Sequence, residues 1–270
     1  MTDDLERTDL IPGLLSVVVP IGRVDQWLDE AIASVLDSDA ANFEIITVFN
    51  NGAEVPTGWV YAKDERVRVL STTASLGPGG AGQAGIDAAR GEYLVCLDAD
   101  DVMRPDRLRL QQAWLQGNPE TVLVSSQVDW IDERSRRIGK FALPQGVDVR
   151  PQLVKLNVAP HSSWMARMSA VRSAGGYDLT MNQMEDYDLL LRLGLLGPIA
   201  VLPKTLTDYR LHAAQLSRAV LPNGRYVRII ARQRRALGVT LGLSRARIFR
   251  ARVWWEAQQW MMYVGRRVRG

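Results

Sequence analysis

Between residues 14 and 125 the chain repeats one pattern: a short, mostly apolar run, then a segment of helical periodicity. Residues 14–19, 43–49, 67–70, 93–97 and 121–125 read as strands, and residues 27–36, 80–89 and 106–115 as helices between them. Strands with apolar side chains on both faces, without strict alternation, are buried on both faces. The expected fold class is therefore α/β, with a mostly parallel sheet covered by helices. Pro20 is expected to stop the first strand, and Asn50-Asn51-Gly52 to turn the second. In such sheets ligands bind beyond the carboxyl ends of the strands, which aims Asn50, Asn51 and residues 98–101 at one cleft. From about residue 126 the alternation weakens, leaving a polar hairpin over residues 132–140 and a helix over 187–196 that Glu185-Asp186 opens.

The fourth strand ends in Leu97-Asp98-Ala99-Asp100-Asp101. Three carboxylates at one strand end repel one another, and a cation relieves them. Carboxylates combined with substrate phosphates are the usual seat of a hard divalent ion. A solvated acidic loop is the plainer alternative, and the residues alone leave both open.

At 270 residues, 47% hydrophobic and 23% charged, the chain has material for a large core. Its single cysteine, Cys96, excludes an internal disulfide framework and fits a reducing compartment. Flanked by Val95 and Leu97, it reads as core and not as a nucleophile. The first residues are acidic and lack a basic-then-apolar leader. No stretch reaches the roughly 18 apolar residues of a membrane span; residues 193–203 come nearest, and Gly and Pro interrupt them. A cytoplasmic location is expected, either free or peripheral on the inner face of the cell membrane.

The net charge of +3 conceals an asymmetry. Residues 218–270 hold thirteen arginines, no lysine and one acid, Glu256, so this tail carries +12 and the rest of the chain −9. A body of that sign argues against nucleic acid as a partner. The tail, with Trp254-Trp255 and Trp260-Met261-Met262-Tyr263 among its arginines, has the composition of a helix at an anionic membrane surface. Packing on the oppositely charged body, or on a second copy of the chain as a homo-oligomer, is the alternative.

Gly77-Pro78-Gly79-Gly80-Ala81-Gly82 matches G-x-G-x-x-G, and Asp98 follows at about the spacing of a dinucleotide fingerprint. An NAD(P)-binding oxidoreductase is thus an alternative reading. Against it, residues 71–76 separate the preceding strand from the first glycine, and the fingerprint does not need the further acids Asp100 and Asp101.

Taken in order, these motifs resemble the family 2 glycosyltransferases of GT-A fold. The residues that carry the resemblance are Leu15-Ser16-Val17-Val18-Val19-Pro20, Phe43-Glu44-Ile45-Ile46-Thr47-Val48, Gly85-Ile86-Asp87-Ala88-Ala89-Arg90-Gly91-Glu92-Tyr93 and Leu97-Asp98-Ala99-Asp100-Asp101 with Pro105-Asp106. Later come His161, Gly175-Gly176-Tyr177-Asp178, Glu185-Asp186-Tyr187-Asp188-Leu189 and Tyr209-Arg210-Leu211-His212. The resemblance implies a Rossmann-like, mostly parallel sheet over residues 14–217, with a nucleotide-sugar half (14–125) and an acceptor half (126–217). A short extension (1–13) precedes it, and the basic helical tail (218–270) follows.

The resemblance also implies a nucleoside-diphosphate-sugar donor, Mn2+ or Mg2+, a carbohydrate or lipid-linked acceptor, and transfer with inversion. Asp98-Ala99-Asp100 resembles the family's DxD motif, with Asp98 and Ala99 near the donor and Asp100 on the metal. Pro20, Asn50, Asn51 and Gly77 fall at donor-side positions. Glu185-Asp186 resembles the family's acidic pair, with Asp186 as general base; the plainer alternative is that both acids complement the positive end of their helix. His212 resembles a late histidine used against the metal or diphosphate, with a surface-loop histidine as the plainer alternative; His161 falls where it can meet the acceptor, with a buried histidine satisfied inside the protein as the alternative. Phe49-Asn50 departs from the acids usual at that position, which leaves the donor base open and keeps a catalytically inert GT-A scaffold as a further alternative. Arg23, where the family often has other residues, can meet a phosphate.

Overall fold

The computed structural model describes residues 10–40, 42–72, 76–213, 215 and 224–269, with side chains described as far as Met261. Residues 1–9 of the expected extension, residues 218–223 of the tail, and the side chains of Met262, Tyr263, Arg266, Arg267 and Arg269 lie outside these.

The elements run β1 (Ile11–Ile21), α1 (Leu28–Leu36), β2 (Phe43–Phe49), β3 (Val67–Ser71), α2 (Gly77–Ala88), β4 (Gly91–Cys96), β5 (Val102–Met103), α3 (Arg107–Gly117) and β6 (Leu123–Ile131). They continue as β7 (Arg137–Phe141), α4 (Arg150–Leu153), β8 (Met165–Arg167), α5 (Met168–Ser173), α6 (Glu185–Leu196), β9 (Ile199–Arg210), α7 (Gly224–Thr240) and α8 (Arg245–Arg269). One sheet of nine strands crosses both halves in the order β3-β2-β1-β4-β8-β6-β9-β5, with β7 on the side of β6. β1 to β4 are mutually parallel, as are β6 and β9; β8 is antiparallel to both β4 and β6 and sews the two parallel blocks together. The polar hairpin expected over residues 132–140 is the antiparallel β6–β7 pair.

The apolar runs have the anticipated cause. Along β1, Val17 and Val19 face one core with Leu28, Ile32 and Val35 of α1 and Leu108 and Leu115 of α3, while Val18 faces a second core with Ala81, Ile86, Leu189 and Leu190. Neighbouring residues therefore serve opposite faces, and both faces are dry.

The first strand does not stop at Pro20. β1 continues to Ile21, with Pro20 opposite Val48. Val18 turns its carbonyl to Leu97 on the β4 side, and Ile21 turns its own to Asn50 on the β2 side. Pro20 therefore faces the side where β4 has already ended at Cys96, and its missing N–H deprives no ladder partner. A second boundary also moves: α2 begins at Gly77, three residues before the expected start.

Of the readings for the tail, α7 takes packing on the body. A Cβ added at Gly194 of α6 would meet Leu237 at 3.3 Å. Buried Arg234 donates to the carbonyls of Val154 (2.8 Å) and Lys155 (3.0 Å) just after α4, and to that of Ala251 in α8 (3.0 Å).

Candidate active site

Because β1 to β4 are parallel, their carboxyl ends share one edge, and the loops after them meet there. The turn after β4 is held from both sides. The Asp98 N–H donates to Ser162 Oγ at 2.8 Å, and the Asp101 N–H donates to the Asp98 carbonyl at 3.1 Å. Beneath them, fully buried Arg107 donates to the carbonyls of Cys96 (3.0 Å), Ser162 (2.6 Å) and Trp164 (2.9 Å), and its Nε donates to Gln111 Oε1 (3.0 Å). Gln111 passes the connection on to the carbonyls of Val124 and Ser163. Burial lowers the Arg107 pKa to about 10, so a full positive charge stays under the acidic turn at neutral pH. Neither residue was singled out from the sequence. The available signal was an Arg and a Gln four apart on the same face as Leu108 and Leu115.

Asp98, Asp100 and Asp101 each turn an oxygen to a common point, with the three oxygens within 4.8 Å of one another. Asp101 is buried; its Oδ1 accepts from the Arg210 N–H at 2.8 Å, while its Oδ2 has no partner among the described residues. Burial, then the charges of Asp100 and Asp98, raise the Asp101 pKa well above the ordinary carboxyl value. Burial and Asp98 likewise raise that of Asp100. An orphaned buried oxygen among crowded carboxyls is the pattern a cation would satisfy, and an all-oxygen set suits Mg2+ or Mn2+. His212 sits beside it, Nε2 at 2.7 Å from Asp100 Oδ2, with its ring 4.5 Å from that of Trp27. Arg210 lies behind the cluster, donating to the Asp100 carbonyl (2.7 Å) and to Glu30 of α1 (2.7 Å).

Of its two readings, His161 takes that of a histidine satisfied inside the protein, not the acceptor contact. Its Nδ1 is 3.0 Å from Asp98 Oδ1 and its Nε2 is 2.6 Å from the Tyr177 hydroxyl. Both ring nitrogens are engaged inside the protein, so the residue clamps Asp98 and has no nitrogen left for an acceptor. Burial disfavours a charged imidazole here, but Tyr177, Cys96 and Asp98, with the Asp98 hydrogen bond, reverse that and lift its pKa well above the usual value. Cys96 is core, as expected, with Sγ 4.0 Å from the Tyr177 hydroxyl.

Glu185 and Asp186 open α6 after Met184, which holds a left-handed φ of 59°. Burial and the neighbouring Asp186 push the Glu185 pKa up to about 7, and burial also raises that of Asp186. His161 and Asp98 both act electrostatically on this pair, which ties it to the acidic turn. The Asp186 carboxylate accepts from the Tyr187 N–H at 2.6 Å and from Asn157 Nδ2 at 3.5 Å.

The pair owes its position to the glycine run. A Cβ on Gly79 would lie 3.1 Å from Glu185 Cγ, and one on Gly82 would lie 2.7 Å from the Tyr177 ring. Gly80 and Gly85 are closed by Leu76 (2.4 Å) and Val18 (2.2 Å). These glycines admit the protein's own side chains, and the dinucleotide reading loses the open backbone it requires.

On the donor side, Asn50 differs from expectation. It is buried, its Oδ1 accepts from the Leu76 N–H (3.1 Å) and Thr72 Oγ1 (3.1 Å), and its Nδ2 donates to the Gly77 carbonyl (3.0 Å). With both ends of the amide engaged, Asn50 shapes the loop into α2 and does not read a base. Gly77 carries φ +67°, the left-handed conformation that frees its carbonyl for this bond. Asn51, also at positive φ (57°), is exposed and lines an open cleft of about 430 Å³ with Arg23 and residues 52–54, next to Pro20 at the end of β1. Ala99, half-buried, separates the two outer carboxylates.

This architecture recurs in solved proteins. A structure of Staphylococcus aureus TarS residues 1–349 in complex with UDP-GlcNAc superimposes with a TM-score of 0.67 over 89% of this chain and 71% of that one, at 15% identity. Among curated relatives, an uncharacterized glycosyltransferase of Methanocaldococcus jannaschii is 28% identical over 66% of this chain, and the match spans 64% of that relative's length. The amylovoran biosynthesis glycosyltransferase AmsE of Erwinia amylovora is 29% identical over 70% of each protein. The family model described as glycosyl transferase family 2 matches residues 16–174, more than half of the sequence, and the chain belongs to that family.

Proposed function

We propose that the chain transfers a sugar from a nucleoside-diphosphate sugar to an acceptor hydroxyl, with inversion at the anomeric carbon, in the synthesis of a cell-surface polysaccharide or glycolipid. The observation that carries this reading is the meeting of two acidic groups at one sheet edge: Asp98, Asp100 and Asp101 after β4, and Glu185 with Asp186 across the glycine run of α2. Membership of family 2 and the polysaccharide role of AmsE support the reaction class.

Asp98, Asp100 and Asp101, with His212 alongside, are the residues to hold Mn2+ or Mg2+ together with the donor diphosphate. When bound, such an ion supplies charge neutralisation for the departing nucleoside diphosphate. His161 and Ser162 keep Asp98 in one orientation, and Arg107 offsets part of the negative charge from below. The cleft at Arg23 and Asn51 takes the nucleoside end of the donor. Asp186 takes the acceptor proton as the hydroxyl attacks, a role worth about 10²–10⁴-fold in rate. Glu185, titrating near neutrality, sits between Asp186 and the donor side.

The test is a panel of UDP-, GDP- and dTDP-sugars, each with Mn2+, Mg2+ or chelator, read by nucleoside diphosphate release and by calorimetry. Cation-dependent binding and turnover of at least one donor is expected. Binding of a donor without turnover on any acceptor would favour the inert scaffold, and no binding of any donor would overturn the reading.

A further inference from the structure

α8 carries apolar side chains on two opposite sides. On the inward side, Ile248 closes on Gly238 of α7, with 2.8 Å to a Cβ added there, and Trp255 is 3% exposed under the Arg234 guanidinium, 4.7 Å from its ring centre. At about 100° per residue, Phe249, Val253 and Trp260 fall within roughly 40° of arc on the other side. They are 65%, 48% and 67% exposed. A folded chain does not leave a stripe of this kind facing water without a use for it.

Arginines border the stripe. Arg245 and Arg252 flank one edge and Arg250 the other, all exposed. The tail's one acid, Glu256, is neutralised by Arg252 at 2.7 Å. No helix among the described residues is long and apolar enough to cross a membrane. The remaining geometry for an apolar stripe between cationic edges is to lie in the plane of an interface. A second copy meeting this face tail to tail would set +12 against +12, whereas anionic headgroups complement it.

We propose that the outward stripe of α8 docks on an anionic lipid surface, with Phe249 and Val253 inserted among the headgroups and Arg245 and Arg250 at the phosphates. Arg234 makes the mounting rigid, because it joins α8 to α7 and to the chain after α4. α7 in turn packs on α6, the helix that opens with Glu185 and Asp186. The lipid surface would therefore hold the acceptor half of the fold in a set orientation. This inference goes beyond the transfer reaction and stands or falls without it.

Flotation of the full chain with vesicles tests it, using phosphatidylcholine alone and phosphatidylcholine with about a third phosphatidylglycerol. Flotation with the anionic vesicles only, weakened by high salt, is expected. Arg245→Gln with Arg250→Gln should lower the partition coefficient about 25-fold, taking roughly 1 kcal/mol for each arginine at the surface. Phe249→Ser with Val253→Ser should lower it at least about tenfold, from lost insertion, with the thermal midpoint little changed because both side chains are exposed. The proposal is overturned if the chain fails to float with anionic vesicles or if the Phe249/Val253 variant floats as well as the parent. It is equally overturned if light scattering shows a doubled mass that this variant abolishes while the parent ignores vesicles, since a second copy would then be the occupant.

Discussion

Glu185→Gln removes a charge that the fold accommodates poorly, and the cost can be worked out. The carboxyl moves from an ordinary 4.5 to about 7, chiefly through burial and then through Asp186. A difference of about 2.5 units at about 1.36 kcal/mol per unit is roughly 3 kcal/mol. The sign follows from proton binding. Between pH 4.5 and 7 the folded state holds a proton that the unfolded state has released, so stability falls as pH rises through that window. The group's favourable contribution is complete below pH 4.5 and gone above about 7. Glutamine keeps the shape and has no proton to lose.

The assay is urea denaturation of parent and variant from pH 4.5 to 8.5 without divalent ions. Near pH 4.5 the two should be equally stable, and by pH 8 the variant should be more stable by about 3 kcal/mol, most of the gain appearing between pH 5 and 7. Part of the effect is shared with Asp186, whose own raised pKa relaxes once its neighbour is neutral. A stability difference that stays flat across the range would refute the reasoning, because it would mean that Glu185 is solvated and its burial inconsequential.

Asp186→Asn should lower turnover at least about 10²-fold while leaving donor affinity nearly intact; near-normal turnover would remove it as base. Asp100→Ala should weaken donor binding in the presence of Mn2+ and leave cation-free binding little changed, and calorimetry showing no difference would reject its metal role. Because Asp100 and Asp101 hold protons to higher pH than ordinary carboxyls, a cation must displace protons to bind, so Mn2+ should raise the thermal midpoint more at pH 8 than at pH 5. Gly82→Ala should cost about 1–3 kcal/mol by driving a methyl into the Tyr177 ring, and a chemical denaturation midpoint equal to the parent's would show that the ring yields freely.

The parallel half of the fold was legible because its signal is local. Each mostly apolar run between turn residues is one strand, buried along β1, β2 and β4 and half-buried in β3 at the sheet edge, and β2 matches the expected span residue for residue. Pro20 misled because a proline's effect depends on which neighbour its nitrogen faces, and that is set by where β4 ends, some 76 residues later. The two histidines were separated only by packing: His212 reaches Asp100, while His161 is closed between Asp98 and Tyr177. Asn50 reads as donor-side from its place at the end of β2, but Leu76 and Gly77 take both ends of its amide. Arg107 stayed invisible because an arginine in the first turn of a helix is ordinarily solvated. Only the three carbonyls converging from β4 and the 162–164 segment give it a buried purpose.

The glycine run explains how the acidic groups can be brought so close. The acids after β4 and the acids that open α6 repel one another, and of the fixed cations nearby Arg107 and Arg210 spend hydrogen bonds on carbonyls and Glu30, while His161 offsets Asp98 alone. A bulkier α2 would relieve the repulsion by pushing α6 away, at the expense of the cleft. Glycine at 79 and 82 removes that escape: Glu185 and Tyr177 close directly on the helix, and Tyr177 passes the constraint through His161 to Asp98. The same segment that imitates a dinucleotide fingerprint thus works as a spacer of minimum thickness, setting the distance between the acids after β4 and the acids that open α6. On this view an alanine at 79 should open that distance and leave the acidic turn itself intact, so Asp186-dependent transfer should fall more than cation-dependent donor binding. Equal losses in both would show that the glycines serve only to stabilise the fold.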